Sequence, residues 1–446
     1  MTSVEKYQGV VLSGLGIGLI LYPEGHPILA SVGFGLVGFV VAYHLIMALG
    51  GSFIKVGLKG KDLSKPEKPV LPESMGAVSS IVYLFCMLFF IPFMFYKYLV
   101  TTTSGSGNRD EGFEQVNFGR RLHLFPHNKL AEYLSALLSL QAMLMLGVAD
   151  DLFDIRWRNK FFLPAIAAIP LLMVYYVDFG VTQVMLPPFL HMGATIDLGV
   201  FYYFYMAAVA IFCPNSINIY AGINGLEVGQ SLVIGILILL NDMLYLIIPN
   251  HPAMESHLFS VFFLIPFLGV TCALFYHNWW PASVFVGDTY CYFAGMVYAV
   301  VGIVGHFSKT LLLFFIPQIF NFLYSAPQIF KIVDCPRHRL PRFNPATGKL
   351  EPSRAQLENP KKPVLLVLQL LQKLRLIELW WPTNPKANYT VEISNMTLIN
   401  LTLVLLGPMR EDKLAKVLLT VQMVVGLLAI FLRHSLAIIV FGRDNL

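Results

Sequence analysis

Apolar runs of membrane-spanning length recur along this chain almost from end to end, and they constrain the fold class before any motif is considered. About 20 consecutive apolar residues match the hydrocarbon thickness of a bilayer. Backbone amides in lipid have no water to bond, so such runs form helices that satisfy their own hydrogen bonds. The clearest runs cover residues 28–49, 76–96, 131–148, 161–177, 200–213, 228–248, 259–276, 289–307, 310–325 and 414–432. They predict an all-α polytopic membrane protein with about ten transmembrane helices. Composition agrees: 56% of residues are apolar and 13% charged, where soluble domains carry about a quarter charged residues. A shorter run at 7–22 lies between Lys6 and Glu24. An eleventh span, an interfacial helix and a cleaved signal are open for it; no small-residue cleavage pattern follows, which favours a retained segment.

Lysine and arginine bias sets the orientation. Lys55, Lys59, Lys61, Lys65 and Lys68 follow the first main span, Arg156, Arg158 and Lys160 follow the third, and residues 331–413 are rich in both types. The opposite loops are sparser, with Lys97, Arg109, Arg120, Arg121 and Lys129. The first set is therefore expected in the cytosol. This divides the chain into an N-terminal hydrophobic segment (1–27), a core of nine spans (28–325), a cytosolic insert (326–413) and a last span with its tail (414–446). Within the insert, 364–381 has the spacing of an amphipathic surface helix and 397–406 is a short interfacial candidate. Sequons at Asn388, Asn395 and Asn400 would then face the cytosol and stay unmodified. The net charge of +5 is small and concentrated in a few loops, which suits anionic substrates or lipid headgroups better than bulk nucleic-acid binding. The five cysteines include no CxxC pair, so they read as small apolar packing residues.

The expected cytosolic loops hold more polar chemistry than spacers need. Asp150, Asp151 and Asp154 end the third span; if the helix continues, Asp150 and Asp154 share a face. Carboxylates that close repel unless a cation joins them, and magnesium or a lysine from the following Arg156–Lys160 stretch supplies one. A charged helix cap at the bilayer edge is the plainer role. The loop from Asn215 to Glu227 carries Asn218 and Asn224 with Gly222 and Gly225. Asn218 can offer a carbonyl oxygen to a hard cation, and the glycines let backbone amides approach a base or phosphate; a re-entrant turn with satisfied amides is the alternative. Asp288, after Phe285, opens another span, where capping and metal ligation compete for one carboxylate. Arg337, His338 and Arg339 stand between Pro336 and Pro341. Arginine forks suit phosphate oxygens and a histidine can bond a sugar hydroxyl; a positive-inside anchor is the alternative. Together these parts fit the joining of two anionic phosphates, where cations and fixed donors matter more than a strong nucleophile.

Read in order, Lys61-Asp-Leu, Leu71-Pro-Glu-Ser, Gly147-Val-Ala-Asp-Asp, Arg156-Trp-Arg-Asn-Lys, Asn218-Ile-Tyr-Ala-Gly-Ile-Asn-Gly-Leu-Glu, Phe285-Val-Gly-Asp-Thr, Gly305-His-Phe-Ser-Lys-Thr and Cys335-Pro-Arg-His-Arg make the chain similar to one family over nearly its whole length. It resembles the eukaryotic UDP-N-acetylglucosamine–dolichyl-phosphate N-acetylglucosamine-1-phosphotransferases, which start the lipid-linked oligosaccharide for N-glycosylation at the endoplasmic reticulum membrane. The resemblance implies transfer of a sugar phosphate from UDP-N-acetylglucosamine to dolichyl phosphate with Mg²⁺, for which Mn²⁺ substitutes. It implies that Asn218 and Asp288 ligate the metal, that Lys160 and Arg337 hold the diphosphate, and that His338 and Arg339 read the sugar. Leu63, Gly222, Asn224 and Phe285 would hold uridine, with Glu73 and Trp157 completing the substrate set. Asp150 and Asp151 would sit beside the lipid phosphate and order Lys160, with Asp154 nearby. A ten-span layout, inhibition by tunicamycin, homodimers and association with the glycosyltransferase that adds the next sugar are also implied. The chain departs by carrying Asp154 where many relatives have Asn, Tyr220 where they often have Leu, and a fungal-like segment at 7–22.

Two rival classes are weaker. An intramembrane prenyltransferase also uses aspartates and Mg²⁺, but has no use for the Gly222–Gly225 loop or the Pro-Arg-His-Arg string. A nucleotide-sugar transporter would show interrupted helices in related halves, and no such symmetry is visible.

Overall fold

The computed structural model describes residues 3–22, 26–96, 125–186, 188, 195–331, 333, 340–358, 362–381 and 390–442. The described chain is a helical polytopic membrane protein. Seven helices are long and apolar enough to cross a bilayer: Pro27–Val56, Gly76–Met94, His127–Phe153, Val200–Ile219, Leu226–Ile247, Met254–Asn278 and Glu411–Phe441. An eighth crossing is met only if Ser308–Phe314 and Ile316–Ile329, bent by 69°, count as one span.

The remaining expected runs are shorter for identifiable reasons. The 161–177 run is broken into Leu163–Ala167 and Ile169–Asp178, each with a proline in its first turn, where the missing amide interrupts a continuous helix. The 289–307 run gives Asp288–Val304, 17 residues long. Every residue from Thr289 to Val304 is buried, because Val200–Ile219 and His127–Phe153 pack along this helix. A helix apolar on all sides belongs at the centre of a bundle. The N-terminal segment forms the helix Ser3–Ile20, which packs on Pro27–Val56.

The insert differs from its sequence reading. The helix expected over 364–381 is Lys362–Lys373, and the chain then reverses through Arg375 at φ 57°. Leu379–Trp380 instead joins a three-stranded antiparallel sheet with Arg354–Glu358 and the central strand Thr390–Ser394. Leu368, Ile377, Leu379, Val391 and Ile393 close a separate small core there. A second small core seats Tyr220, Ile223 and Leu226 against Leu350, Leu403 and Leu414, tying the loop after Val200–Ile219 to the insert and to the last helix. Tyr220 is therefore a buried packing residue. Two of the sequon asparagines are buried too. Asn395 Nδ2 donates to Ser353 Oγ at 2.8 Å and its oxygen accepts from Gln328; Asn400 Nδ2 donates to Thr397 Oγ1 at 2.8 Å, and its oxygen accepts from the Ser353 amide. Both polar side chains are thus satisfied inside the protein by hydrogen bonds. Asn388 lies outside the described residues.

One close approach sets the site. A Cβ on Gly147 would lie 2.6 Å from the Thr289 Cα, so glycine lets the end of His127–Phe153 touch the start of Asp288–Val304. Gly147→Val is expected to destabilise the protein by about 1–3 kcal/mol through overpacking against backbone and to cut activity sharply. Gly18→Ala, where nothing lies within 4 Å, should leave both unchanged or gain slightly. Thermal unfolding in detergent and turnover of the two variants check this.

Candidate active site

The His127–Phe153 helix stops one residue before Asp154, which adopts the left-handed conformation at φ 46° and donates its amide to the Asp150 carbonyl at 2.9 Å. Asp and Asn tolerate that conformation better than most residues, which accounts for Asp at this helix end. Asp150 and Asp154 consequently do not share a helical face. Asp154 is exposed and does not line the cleft described below.

Asp150 is buried. One of its oxygens accepts the Ile155 amide at 3.0 Å and the other lies 2.8 Å from Lys160 Nζ. The same ammonium lies 2.9 Å from Asp288 Oδ2, and Asn218 Nδ2 donates to Asp288 Oδ1 at 2.8 Å. Burial works against the charge on Lys160, but Asp288 and Asp150 together hold its pKa above the ordinary lysine range. Asp151 turns the other way. It accepts the amides of Asp288 at 2.8 Å and Thr289 at 3.3 Å, and the Thr289 hydroxyl. Those amides are orphan donors at a helix N-terminus, where a carboxylate also meets the favourable end of the dipole. Asp151, not Asp288, caps this helix, and the Asp288 carboxylate faces Lys160 and Asn218. Asp151 orders Asp288, not Lys160 as expected.

Beside this cluster opens a cleft of about 390 Å³ lined by Leu63, Glu73, Gly222, Asn224, Phe285 and Asp288, among others. Phe285 is fixed by its amide to the Pro72 carbonyl at 2.8 Å and by the Met75 amide to its own carbonyl at 3.1 Å. Gly222 sits at φ 119°, a backbone conformation that favours glycine, and a Cβ there would lie 2.2 Å from a Leu340 methyl. Its amide donates to Glu227 Oε1 at 2.8 Å. Desolvation at the rim, and then the charges of Asp151 and Asp288, push the Glu73 carboxyl up from its ordinary value. Arg337, His338 and Arg339 lie outside the described residues, as do the side chains of Trp157 and Arg158. Leu340, the residue after Arg339, lines the cleft.

Four site residues were missed by the motif reading. Asp62 and Glu411 flank Asn224, Glu227 holds Gly222, and Tyr292 places its ring 6.0 Å from Lys160 Nζ. Tyr292 was recoverable as one turn beyond Asp288 on the same face. Asp62 and Glu227 stand inside the quoted strings. Glu411 has no local signal, because only the fold brings the start of the last helix to the loop after Val200–Ile219.

Asp150 and Asp288 share one ammonium and Asp151 bonds the Asp288 amide beside them, so three carboxylates face a single lysine and leave a net negative pole with hard oxygen donors. Among the described residues no three His, Cys, Asp or Glu side chains are grouped to hold a metal by themselves. The pair Asp288 and Asn218 nevertheless fits a cation of the magnesium type, which takes one or two protein oxygens and completes its shell with substrate phosphate and water.

Residues 133–306 match the family model described as Glycosyl transferase family 4. Three relatives, each named UDP-N-acetylglucosamine–dolichyl-phosphate N-acetylglucosaminephosphotransferase, match far more of the chain. The Saccharomyces cerevisiae protein is 59% identical over 424 residues, 94% of either chain. The Schizosaccharomyces pombe protein is 50% identical over 99% of this chain and 100% of its own. The Dictyostelium discoideum protein is 39% identical over 88% of this chain and 84% of its own. With identity at this level along the whole sequence, the chain belongs to the UDP-N-acetylglucosamine–dolichyl-phosphate N-acetylglucosaminephosphotransferase family.

Proposed function

We propose that this protein transfers N-acetylglucosamine-1-phosphate from UDP-N-acetylglucosamine to dolichyl phosphate, releasing UMP and forming dolichyl-diphospho-N-acetylglucosamine, the first step of lipid-linked oligosaccharide synthesis. The observation that carries the reading is the Lys160 ammonium held between Asp150 and Asp288, with Asp288 also lining a cleft formed by Leu63, Gly222, Asn224 and Phe285. That is a phosphate pole joined to a nucleoside-sized pocket. The basic loops support an active site on the cytosolic face of the endoplasmic reticulum membrane, and the family suggests homodimers and association with the next glycosyltransferase.

In this mechanism a lipid phosphate oxygen forms a bond to the β-phosphorus of the nucleotide sugar. The bond from that phosphorus to the bridging oxygen breaks, and UMP leaves with the electron pair. The sugar's own C–O bond is never cut, so its anomeric configuration is retained. Lys160 and Arg337 draw the phosphate oxygens together, Asp150 fixes the ammonium, and Asp151 fixes the helix that presents Asp288. Asp288 and Asn218 would hold Mg²⁺ or Mn²⁺, which would supply the positive charge that two anionic substrates need in order to approach. Phe285 stacks on uracil over Gly222, Glu73 and Trp157 line the donor path, and His338 and Arg339 read the sugar. The acceptor is already an anion at neutral pH, so no covalent enzyme intermediate is required.

The direct test is incubation of purified protein with UDP-N-acetylglucosamine, dolichyl phosphate and Mg²⁺. Lipid-linked product with stoichiometric UMP is expected; UDP as product, or a phosphosugar trapped on Asp150 or Asp151, would overturn the reading. Asp288→Asn keeps the side chain's shape and removes its charge, so turnover should drop at least about 10²-fold, on the scale of losing one electrostatic stabiliser, while thermal unfolding stays near the parent. His338→Ala is expected to raise KM for the nucleotide sugar with little change in UMP affinity measured by calorimetry. Equal weakening of both would move His338 to the phosphate or uridine end.

A further inference from the structure

Asn224 is clamped by two acidic residues that the motif reading assigns to nothing. It is buried, and its side-chain Nδ2 donates to Asp62 Oδ2 at 3.0 Å and to Glu411 Oε2 at 3.4 Å; its backbone amide donates to Glu411 Oε1 at 2.8 Å. Asp62 is itself tied down by Lys65, 2.6 Å away, and by the Ser64 amide at 3.0 Å. A carboxylate paired to a lysine is an acceptor only. The Asn224 carboxamide therefore has one permitted orientation: nitrogen toward Asp62 and Glu411, oxygen away from them. The reversed amide would set its oxygen against the Asp62 carboxylate. Asn224, Asp62 and Glu411 all line the cleft.

We infer that Asp62 and Glu411 are positioning residues for base selection, holding Asn224 with its carbonyl oxygen as the acceptor so that the cleft takes a base with an imide N–H, uracil, in preference to cytosine, which has a lone pair at that ring position. The inference rests on the uridine reading of this end of the cleft. It adds a cause for the choice of base, located partly on the last helix. A site built around a fixed acceptor rejects an analogue that cannot donate, because the buried acceptor is then left unpaired.

The test compares UDP-N-acetylglucosamine with CDP-N-acetylglucosamine in kcat/KM, and UMP with CMP by calorimetry, in the full-length protein. Glu411→Gln keeps an oxygen for the Asn224 amide but sets an NH₂ beside its nitrogen, and Asp62→Asn does the same from the other side. Each removes the bias on the carboxamide, so the uracil-to-cytosine ratio should fall at least about tenfold, the equivalent of one hydrogen bond. A purely structural role would lower both nucleotides together and leave the ratio alone, and that result in both variants overturns the inference. Should one variant fail to fold, judged by thermal unfolding and gel filtration, the other decides. Asn224→Ala run in parallel separates the two levels. If it leaves the ratio unchanged, the uridine reading of this subsite fails; if it lowers the ratio while Asp62→Asn and Glu411→Gln do not, the clamp alone fails.

Discussion

Everything at the polar end of this bundle depends on one ammonium group between two carboxylates. Asp150 ends one helix and Asp288 begins another, and each lies within 2.9 Å of Lys160 Nζ. Without a cation between them, two carboxylates at the bilayer edge repel, and partial burial makes the repulsion more costly. With it, the two helix ends are joined. The helices can come that close only because Gly147 has no side chain at the crossing with Thr289. Packing and electrostatics therefore specify the same geometry, and Asp151 completes it by capping the helix that Asp288 opens. The aspartate pair is thus divided: Asp150 holds a cation and Asp151 holds a helix.

How far the sequence disclosed this depends on how local each signal was. The apolar runs were visible because span length is a property of consecutive residues, and all ten runs do coincide with helical segments. What the runs did not disclose was continuity. Pro164 and Pro170 split one, Phe315 and Pro317 bend another, and Asp288–Val304 is short because it is sheathed by protein. The insert was harder. A stretch from 364 to 381 has a helical period, but the reversal at Arg375 and the pairing of Leu379 with Ile393 are set by contacts distant in sequence. Asp150, Lys160, Asn218 and Asp288 could be picked out by residue type, and the structure brings them together. Asp154 was grouped with them on the assumption of one more helical turn, which its left-handed backbone ends.

The cleft shows the same division between local and distant information. Gly222 and Asn224 belong to a recognisable loop, yet what holds them comes from elsewhere: Glu227 from the next helix, Asp62 from the loop after the first long helix, and Glu411 from the start of the last. Glu411 lies 187 residues from Asn224. The core formed by Tyr220, Ile223, Leu226, Leu350, Leu403 and Leu414 holds those segments in register. Tyr220, two residues before Gly222, is part of this apolar fastening.

The insert enters the cleft at its other wall. Leu340, immediately beyond the Pro-Arg-His-Arg string, fills the space that a side chain on Gly222 would need, and the Leu350 backbone pairs with Met409 just ahead of Glu411. The described part of the insert thus meets the loop of Gly222 at Leu340 and, further along, the residues leading into the Asn224 clamp. The insert therefore contributes to the cleft at two places, through the Leu340 side chain beside Gly222 and through the residues that precede Glu411, whose carboxylate accepts the Asn224 amide at 2.8 Å. The shape of this part of the cleft follows from how the insert packs as much as from the membrane helices that frame it.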